Sequence, residues 1–516
     1  MTGKHFDVVI VGAGLSGIGA AYHLQHKCPT KTYAILEARA NLGGTWDLFR
    51  YPGIRSDSDM YTLGYNFKPW RQKKAIADGS SILSYIQETA DENDISRHIQ
   101  FNTRVSKVSW SSQTQTWTLE ITNGQQTNSG NSGNSAGNDN GESSVATITC
   151  NVISMCSGYY NYEQGFTPDF TGIDTFKGKV VHPQKWPTDL DYKDKKVVVI
   201  GSGATAMTLA PALSNEAEHV TMLQRSPTYV VSRPSEDIIA NVLNKVLPEK
   251  MAYSFVRWKN IFIQQFAYAL SRKNPDKLKQ KIVSLATKHL PDDYVAKHFT
   301  PSYDPWDQRL CAIPDDDLFN AINENKLSVV TETIDTFTEE GIRLTSGQFL
   351  EADIVVTATG LNVLQLGGIE IVVDNTTVNI ADTYIYRGVM FSGIPNLFNT
   401  FGYINASWTL KADLTAQYIC KLINHMQSIK SAKMTPTLPV EDSNMAKRFL
   451  LEGFTPNYMK RAIDTMPKQG DKTPWVMHQN YKLDKQSFND DPVEDGILIF
   501  TDTEGTADTS ASADVA

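Results

Sequence analysis

The sequence predicts an α/β fold that contains two units of the same kind. Two segments, VVIVGAGLSG at 8–17 and VVVIGSGATA at 197–206, each run from a β-branched strand into a glycine-rich turn and then into a helical pattern. This succession is typical of dinucleotide-binding, Rossmann-like domains, in which the turn cradles a pyrophosphate. The 516 residues are enough for about three domains of ordinary size.

The composition excludes several classes of protein. Apolar residues make up 41% of the chain and charged residues 20%, which is typical of a globular protein and not of a disordered or collagen-like one. Because the net charge is −9, a nucleic-acid partner is not expected. No run approaches the roughly 18 apolar residues of a membrane span, and the first apolar run becomes glycine-rich too soon for a signal peptide.

The number and spacing of the cysteines argue against cross-linking by disulfides or by a metal. Cys28, Cys150, Cys156, Cys311 and Cys420 are odd in number, scattered and without CxxC spacing. This pattern argues against a disulfide framework and against a structural zinc site. We therefore expect reduced thiols in a cytoplasmic protein that binds no metal.

In the first glycine-rich turn each glycine has a predicted role. Gly12 permits the tight turn, Gly14 lets the backbone approach a pyrophosphate, and Gly17 allows close packing of helix on strand. The helix that begins near Ser16 offers free amides to the phosphates. The next strand ends in Glu37, where a carboxylate can bind a ribose diol; a solvated strand-end carboxylate is the alternative. FAD or NAD is therefore expected here, rather than NADP.

The second turn keeps Gly201 and Gly203 and has Ala206 in the packing position. The strand that follows ends in Gln224 and Arg225, where an NAD enzyme would carry an acid. Because a guanidinium can pair with a 2′-phosphate through its planar fork, NADPH is expected at this unit. The alternative interpretation of Arg225 is a surface cation.

These patterns predict the order of the domains. A discontinuous FAD domain is interrupted by the NADP domain, which contains a helical insert. The predicted boundaries are 1–160 and 346–502 for the two parts of the FAD domain, 161–345 for the NADP domain and about 236–298 for the insert. The tract at 123–144 lacks core-forming side chains and is expected to be a mobile loop tip, and the tail at 503–516 is expected to be disordered.

Two longer motifs carry a resemblance to a known family. GGTWDLFRYPGIRSD at 43–57 joins Gly-Gly-x-Trp to an aromatic-Pro-Gly and an aspartate, and FKGKVVHPQKWP at 176–187 has Phe, Gly, His, Trp and Pro at the required spacing. The chain thereby resembles the type I Baeyer–Villiger monooxygenases. PWDQRLC and NASWTLKADL are most similar to their ethionamide-activating subgroup. In flavoprotein disulfide reductases the analogous segment leads into a redox cysteine pair, whereas this chain has Trp46.

The resemblance implies an activity. It points to an FAD-containing, NADPH-dependent enzyme that inserts one oxygen atom of dioxygen into ketones, and oxygenates sulfides or thioamides, through a peroxide at flavin carbon 4a. Arg309 matches the catalytic arginine of the family, and Asp57 matches the carboxylate that orients it. Because a guanidinium stays protonated, electrostatic stabilisation is the expected role of Arg309. An interdomain salt bridge for Arg309 and a structural turn for Asp57 are the alternatives.

The resemblance also implies most of the cofactor contacts. The residues expected around FAD are Gly12, Gly14, Ser16, Gly17, Glu37, Thr45, Trp46, Asp47, Asp57 and the backbone of Val105. The residues expected around NADP are Arg55, Ser56, Ser202, Gly203, Ala204, Thr205, Ala206, Thr208, Arg225 and Ser226. Gln308 stands where many members have Lys, so a weaker preference for NADPH is expected. His182 is expected to couple domain motion to catalysis, or else to be a packed linker histidine.

Other interpretations of the function stay open. One is a flavin-containing N- or S-oxygenase without ketone oxidation, and another is a non-catalytic flavin-binding redox sensor. A helix from Trp408, capped by Asn405 or Ser407, could direct its dipole at the flavin, although packing explains it equally well.

An apolar stripe at three- and four-residue spacing runs from Phe255 to Leu270. It permits peripheral membrane contact, but packing as a helical insert at the substrate entrance is the favoured interpretation. The basic residues that flank this stripe are Arg257, Lys259, Arg272, Lys273, Lys277, Lys279 and Lys281.

Overall fold

The structure is a computed structural model that describes residues 3–123, 145–308, 310–454 and 456–502. The predicted catalytic Arg309 lies outside the described residues. So do the tail at 503–516 and all of the predicted mobile loop except Asn123.

Short strands alternate with loops and helices along most of the chain. The strands are β1 Lys4–Val11, β2 Tyr33–Leu36, β3 Ile99–Gln100, β4 Thr103–Ser111, β5 Thr116–Asn123, β6 Val145–Met155, β7 Tyr160–Gly165, β8 Lys179–Val181, β9 Lys196–Ile200, β10 His219–Gln224, β11 Val230–Arg233, β12 Cys311–Pro314, β13 Leu327–Thr331, β14 Ile334–Thr338, β15 Gly341–Leu344, β16 Phe349–Glu351, β17 Ile354–Thr357, β18 Leu361–Val363, β19 Glu370–Val373, β20 Thr376–Thr377, β21 Ile385–Tyr386, β22 Met390–Phe391, β23 Leu397–Asn399, β24 Ser431–Pro436, β25 Arg448–Phe449, β26 Lys468–Gln469 and β27 Leu498–Asp502.

The helices follow the glycine-rich turns, lie between β2 and β3 and between β11 and β13, or come after β23. They are α1 Leu15–Lys27, α2 Thr45–Leu48, α3 Met60–Leu63, α4 Gly79–Glu92, α5 Ala204–Leu213, α6 Ile238–Val246, α7 Glu249–Lys273, α8 Pro275–Ala286, α9 Asp292–His298, α10 Asp317–Asn323, α11 Trp408–Ser428, α12 Asn457–Ala462 and α13 Tyr481–Asp490.

The first glycine-rich unit belongs to a nine-stranded sheet in the order β20-β19-β4-β5-β6-β1-β2-β3, with β23 also paired to β6. Alternate residues of β1 face opposite sides of this sheet, as strand geometry requires. Val8 and Ile10 pack on the side of α1, whereas Val9 and Val11 pack into the core on the other side. Because both faces are covered, residues 8–11 of β1 and all of β2 have the continuous apolar sequence of buried parallel strands.

The second unit forms a five-stranded sheet in the order β13-β10-β9-β17-β8, and all its pairs are parallel. Here the structure differs from the predicted boundary at residue 345. The strand Ile354–Thr357, which the boundary gave to the FAD domain, pairs with β9 and β8 of the second sheet. The physical reason is that β17 is buried along its whole length and lies between β9 and β8, with both of which it forms parallel pairs.

The chain crosses from the first sheet to the second and later returns, and the two crossing segments pair with each other. The first crossing contains β7 and the return crossing contains β18, and these two strands are antiparallel partners. Leu361 lies opposite Gly165, and Val363 lies opposite Tyr160. The link between the units is therefore a two-stranded ribbon rather than two independent loops.

The predicted helical insert consists of α6 to α9. The favoured packing of its apolar stripe is wrong, because the stripe faces outward: Phe255, Trp258, Phe262, Phe266 and Leu270 are 50–63% exposed. The helix is instead held by polar groups on its opposite face, described below. None of the helices in the described ranges combines the length and the apolar character that crossing a membrane requires.

Candidate functional site

The first glycine-rich turn is packed against the end of β6. Gly12 has φ +104°, and a Cβ atom on it would lie 2.6 Å from the carbonyl oxygen of Cys156. A Cβ atom on Gly17 would lie 1.9 Å from the carbonyl oxygen of Gly12, so helix α1 can sit this close only without a side chain there. Gly14 precedes α1 and makes no side-chain cap, which leaves the first amides of the helix for a ligand.

Glu37 follows β2 and lies against this turn. It is 6% exposed; Ala13 N donates to Oε2 at 2.8 Å and Arg39 N donates to Oε1 at 2.9 Å. Burial raises the pKa of Glu37, and the two backbone N–H donors oppose that rise. Each carboxylate oxygen keeps a further lone pair, so the side chain can also accept from two hydroxyl groups.

Two adjoining cavities, of about 260 and 360 Å³, border this turn. They share part of their walls, so they form one cleft. The shared wall residues are Gly14, Gly44, Cys156, Tyr160 and Tyr162. The predicted residues in the first cavity are Gly14, Ser16, Thr45, Trp46 and Asp57, and those in the second are Gly12, Gly14, Glu37 and Val105. The cleft thus brings together most residues expected around FAD.

The cleft fits a dinucleotide with a flat ring system. A buried polar atom, Ser157 Oγ, lines the second cavity and has no hydrogen-bond partner in the described part of the chain. Such a group is normally satisfied by a ligand or by water. At the other end, Trp46, Tyr159 and Trp408 supply aromatic walls, which suit a planar ring.

Gly17 and Asp47 are the two predicted FAD residues that do not line the cleft. Gly17 acts through packing, as described above. Asp47 is 4% exposed and pairs with Arg39 at 2.7 Å and with Arg50. Arg39 lines the second cavity and also donates to the Gly44 carbonyl oxygen at 3.1 Å. Asp47 therefore positions a cation beside the cleft.

The N-terminus of α11 faces the first cavity, but the predicted caps are wrong. Ser407 precedes the helix without capping it, because its hydroxyl is paired with Thr62 Oγ1 at 2.6 Å. Asn405 instead donates to the Gln479 carbonyl oxygen at 2.9 Å. The indole of Trp408 donates to Ser16 Oγ at 2.8 Å, which ties the start of α11 to the start of α1.

The second glycine-rich turn has the same geometry. Gly201 has φ +138°, and a Cβ atom on it would lie 2.3 Å from the carbonyl oxygen of Ala358. Gly203 precedes α5, and a Cβ atom there would meet open space. Ala206 is fully buried, whereas Thr208 is 8% exposed and donates to the Ala204 carbonyl oxygen at 2.8 Å. The amides at the start of α5 are therefore accessible to a phosphate.

Beyond β10, the two neighbouring side chains point in different directions. Gln224 is 1% exposed and donates to the His298 carbonyl oxygen and to Thr331 Oγ1, both at 2.8 Å. Arg225 is exposed and makes no ion pair within the described residues. Ser226 is also exposed, and its carbonyl oxygen accepts from Ser202 Oγ at 3.3 Å. Arg225 is thus the group available to an anion beside the second turn.

The aromatic-Pro-Gly motif of the first unit docks on α5 of the second. Tyr51 is buried and hydrogen-bonds to Thr205, and burial raises its pKa to about 12. Gly53 has φ +76°, and a Cβ atom there would lie 2.8 Å from the Thr208 carbonyl oxygen. Arg55 pairs with Asp317 at 2.8 Å. The motif therefore joins the two units and brings Arg55 beside the second turn.

Ser56 and Asp57 lie next along the chain. Ser56 is 3% exposed and its N–H donates to the Ala77 carbonyl oxygen at 2.9 Å. Asp57 lines the first cavity. Two residues that flank the undescribed Arg309 are anchored on either side: Asp307 pairs with Arg272 of α7 at 2.8 Å, and Cys311 Sγ lies 3.9 Å from the Ser202 carbonyl oxygen.

His182 directly follows β8 and packs against the ribbon that links the sheets. Its Nδ1 accepts from Gln184 N at 3.2 Å, so Nε2 carries the proton and donates to the Gly360 carbonyl oxygen at 3.1 Å. Burial lowers the pKa of His182. The ring also packs on Gly165, where an added Cβ atom would lie 2.0 Å from it. A neutral His182 therefore holds both crossings together.

Sequence reasoning missed much of the aromatic wall. Tyr159, Tyr160 and Tyr162 follow β6, and they line the cleft because the carboxyl end of β6 lies beside that of β1. The short run CSGYYNY after an apolar strand was the available signal. Tyr403 is a further wall residue; its hydroxyl donates to Asp484 at 2.6 Å, and Asp484 pairs with the fully buried Lys411 at 2.6 Å.

Comparison with known proteins defines the class. Residues 74–434 match the flavin-binding monooxygenase-like family, and residues 10–71 match an NAD(P)-binding Rossmann-like domain. The chain belongs to the flavin-binding monooxygenase-like family. Among its relatives, FAD-containing monooxygenase EthA of Mycobacterium tuberculosis is 50% identical over 499 residues, which are 96% of this chain and 98% of that protein. Probable FAD-binding monooxygenase AlmA of Acinetobacter baylyi is 46% identical over 504 residues, 97% of each chain.

Solved structures share the fold. An oxidized steroid monooxygenase bound to NADP has a TM-score of 0.72 at 21% identity, over 94% of this chain and 97% of that chain. An open crystal structure of cyclohexanone monooxygenase has a TM-score of 0.72 at 18% identity, with the same coverage. The predicted α/β architecture with two dinucleotide-binding domains and the resemblance to flavin monooxygenases are confirmed.

Proposed function

We propose that the protein is an FAD-containing, NADPH-dependent monooxygenase of the Baeyer–Villiger type, which converts ketones into esters or lactones and also oxygenates sulfides. The observation that carries the proposal is the continuous cleft from Glu37 to Asp57. The names of the relatives, which are FAD-containing or FAD-binding monooxygenases, support FAD in this cleft. Burial raises the pKa of Cys156 in the cleft wall to about 11, which argues against a thiolate redox reaction there.

The residues of the cleft would hold the cofactor at both ends. When it is bound and reduced by NADPH, FAD supplies the activation of dioxygen. Glu37 would accept from the ribose hydroxyls, and the amides that follow Gly12 would bind the pyrophosphate. Ser157 Oγ would find its missing partner on the cofactor. The aromatic walls would exclude water from the reacting end.

Charged side chains would stabilise the negative charges of the reacting oxygen and of the NADPH 2′-phosphate. Arg309 would stabilise negative charge that develops on oxygen, without giving up its own proton. Asp57, in the wall of the first cavity, would balance and orient that guanidinium. The exposed Arg225 would bind the 2′-phosphate of NADPH beside the second turn, and Arg55 would lie near the same cofactor.

A product assay tests the proposal against its alternatives. The purified holoenzyme is incubated with NADPH, oxygen and a simple aliphatic ketone, or with a thioether. The expected result is an ester whose formation matches the consumption of NADPH. Sulfoxide without ester would identify an N- or S-oxygenase instead, and a lack of steady NADPH oxidation with any substrate would favour a redox sensor.

Arg309→Ala tests the catalytic assignment. Because one preorganised cation is removed, ester formation is expected to fall roughly 100- to 1000-fold, while FAD content stays at the wild-type value. Arg97→Ala is the matched control, since Arg97 lies on the surface and pairs with Asp94. Normal ester formation by Arg309→Ala would show that this residue has no catalytic role.

A further inference from the structure

We propose that the outer face of α6 and α7 docks on the surface of an anionic phospholipid bilayer. This face, here called the insert face, consists of large apolar side chains that are each at least half exposed. They are Ile238, Ile239, Val242, Val246, Met251, Phe255, Trp258, Phe262, Ile263, Phe266 and Leu270. Continuous exposed apolar surface of this extent normally marks an interaction site.

Buried polar contacts fix the orientation of α7. Arg257 is 4% exposed, and its Nη1 donates to the carbonyl oxygens of Tyr61 at 2.7 Å and Gly64 at 2.8 Å. Asn260 and Gln264 each donate to a carboxylate oxygen of Asp59 at 2.9 Å. If α7 turned its apolar side inward, Arg257, Asn260 and Gln264 would lose these hydrogen bonds, and their partners would be left unpaired. The insert face is therefore held outward by the fold.

The aromatic side chains of the insert face form a row along the helix. Ring centroids of Phe255 and Trp258 are 6.4 Å apart, those of Trp258 and Phe262 are 5.9 Å apart, and those of Phe262 and Phe266 are 6.0 Å apart. Trp and Phe on one side of an amphipathic helix are typical of helices that lie in the plane of a membrane interface. The 25 residues of α7 span roughly 37 Å along that plane.

The charge around the insert face identifies the partner as anionic. Residues 238–281 contain nine Lys and Arg against two Asp and Glu, although the whole chain has a net charge of −9. Arg257, Lys259 and Arg272 are engaged within the protein. The basic residues of this range that make no ion pair in the described part of the chain are Lys245, Lys250, Lys273, Lys277, Lys279 and Lys281. Anionic lipid headgroups would complement these charges.

The same charges disfavour a second copy of the chain as the occupant. Two insert faces in contact would bring two sets of unpaired lysines together, and like charges repel across an interface. A bilayer instead offers an apolar layer for the aromatic row and negative headgroups for the lysines. The inner side of α7 contacts helix α3 and its capping residue Asp59, and Leu63 at the end of α3 lines the first cavity. A docked protein would therefore hold this cavity close to the bilayer.

Vesicle sedimentation tests the proposal without depending on oxygenase activity. The full-length holoenzyme is mixed with vesicles of phosphatidylcholine alone or with 30% phosphatidylglycerol, at low and high salt. Binding is expected only to the anionic vesicles, with weakening at high salt. The double variant Phe262→Ser and Phe266→Ser is expected to bind roughly tenfold or more weakly. The matched control is Val440→Ser with Leu483→Ser, which alters exposed apolar residues elsewhere and is expected to bind like the wild type.

Two further measurements decide between occupants. Sedimentation velocity without lipid is expected to give the same molecular mass for the wild type and for the Phe262→Ser and Phe266→Ser variant. The variant is also expected to keep the melting temperature of the wild type. A dimer that this variant dissolves would overturn the proposal in favour of self-association. Absence of binding to anionic vesicles, or equal binding by the double variant, would also overturn it.

Discussion

The two glycine-rich turns have nearly the same backbone and differ in the side chains around it. In each turn the first glycine has a positive φ and abuts a carbonyl oxygen at the end of a neighbouring strand, Cys156 for Gly12 and Ala358 for Gly201. The helix position that packs on the turn is Gly17 in the first unit and Ala206 in the second. The first turn therefore packs its helix more closely than the second.

The greater difference lies at the end of the second strand. In the first unit Glu37 turns toward the glycine-rich turn and accepts from Ala13 N. In the second unit Gln224 turns into the core toward His298, and the exposed group is the next residue, Arg225. In the sites proposed above, the shared turn would provide phosphate binding, and the side chain beside it, Glu37 or Arg225, would decide between a free ribose and a phosphorylated one.

The largest effect on the first turn is expected from Gly17→Ala, which should lower both the stability and the FAD content. The added methyl group has no room beside the Gly12 carbonyl oxygen, so we expect a loss of about 1–3 kcal/mol in unfolding free energy and of most bound FAD. Thermal unfolding and flavin absorbance measure the two effects. The reciprocal variant Ala206→Gly should lower stability by only about 1 kcal/mol and keep FAD; full FAD content in Gly17→Ala would contradict the packing argument.

Glu37→Gln should weaken FAD binding while keeping the turn intact. The amide cannot provide the same charge-assisted acceptors, so affinity for FAD is expected to fall roughly 10- to 100-fold. Titration of the deflavinated protein with FAD measures this change. Glu163→Gln is the control, because Glu163 also lines the second cavity but is mostly exposed. Equal loss in both variants would argue against a specific ribose contact.

Arg225→Ala should remove the preference for NADPH. We expect the KM for NADPH to rise roughly tenfold or more and the KM for NADH to stay the same, as steady-state kinetics would measure. Gln308→Lys should act in the opposite direction and lower the KM for NADPH several-fold, since it adds a cation where many family members have one. No gain in preference with Gln308→Lys would refute that part of the prediction.

The smallest effect is expected from pH: His298 in the second unit and Glu37 in the first should change the stability in opposite directions. Burial lowers the pKa of His298 to about 4, so the unfolded chain takes up a proton near pH 6.5 that the folded chain refuses, and stability falls between about pH 6.5 and 4. For Glu37 the raised pKa contributes stability below about 4.5, and this contribution is lost as the pH rises through the raised pKa.

A melting-temperature series checks the contribution of His298 to this pH dependence. Between pH 7 and pH 5, wild type should lose about 1 kcal/mol more than His298→Gln, after allowance for solvent screening. This corresponds to roughly 2–4 °C in the midpoint of a unit of this size. His26→Gln, at an exposed position, should behave like wild type. Parallel slopes in all three proteins would exclude His298 as the cause.

Much of the cleft could be predicted because its polar half is local in sequence. Gly12, Gly14 and Glu37 belong to one strand-turn-helix-strand unit, and their spacing determines their positions. Asp47 was assigned to FAD by resemblance, and the structure adds that its carboxylate pairs with Arg39, because a motif match does not show which way a buried carboxylate points. The caps predicted for α11 failed for the same reason: Ser407 found a partner in Thr62 across the fold.

By itself, the sequence determined the two dinucleotide-binding units, the family and the helical nature of the insert, since these follow from backbone preferences and periodicities within short segments. The tertiary structure decided the rest. It brought the aromatic residues after β6 to the first turn, moved β17 into the second sheet, and left the insert face uncovered. A periodic pattern shows that a helix has an apolar side, but what covers that side depends on contacts between segments far apart in the chain.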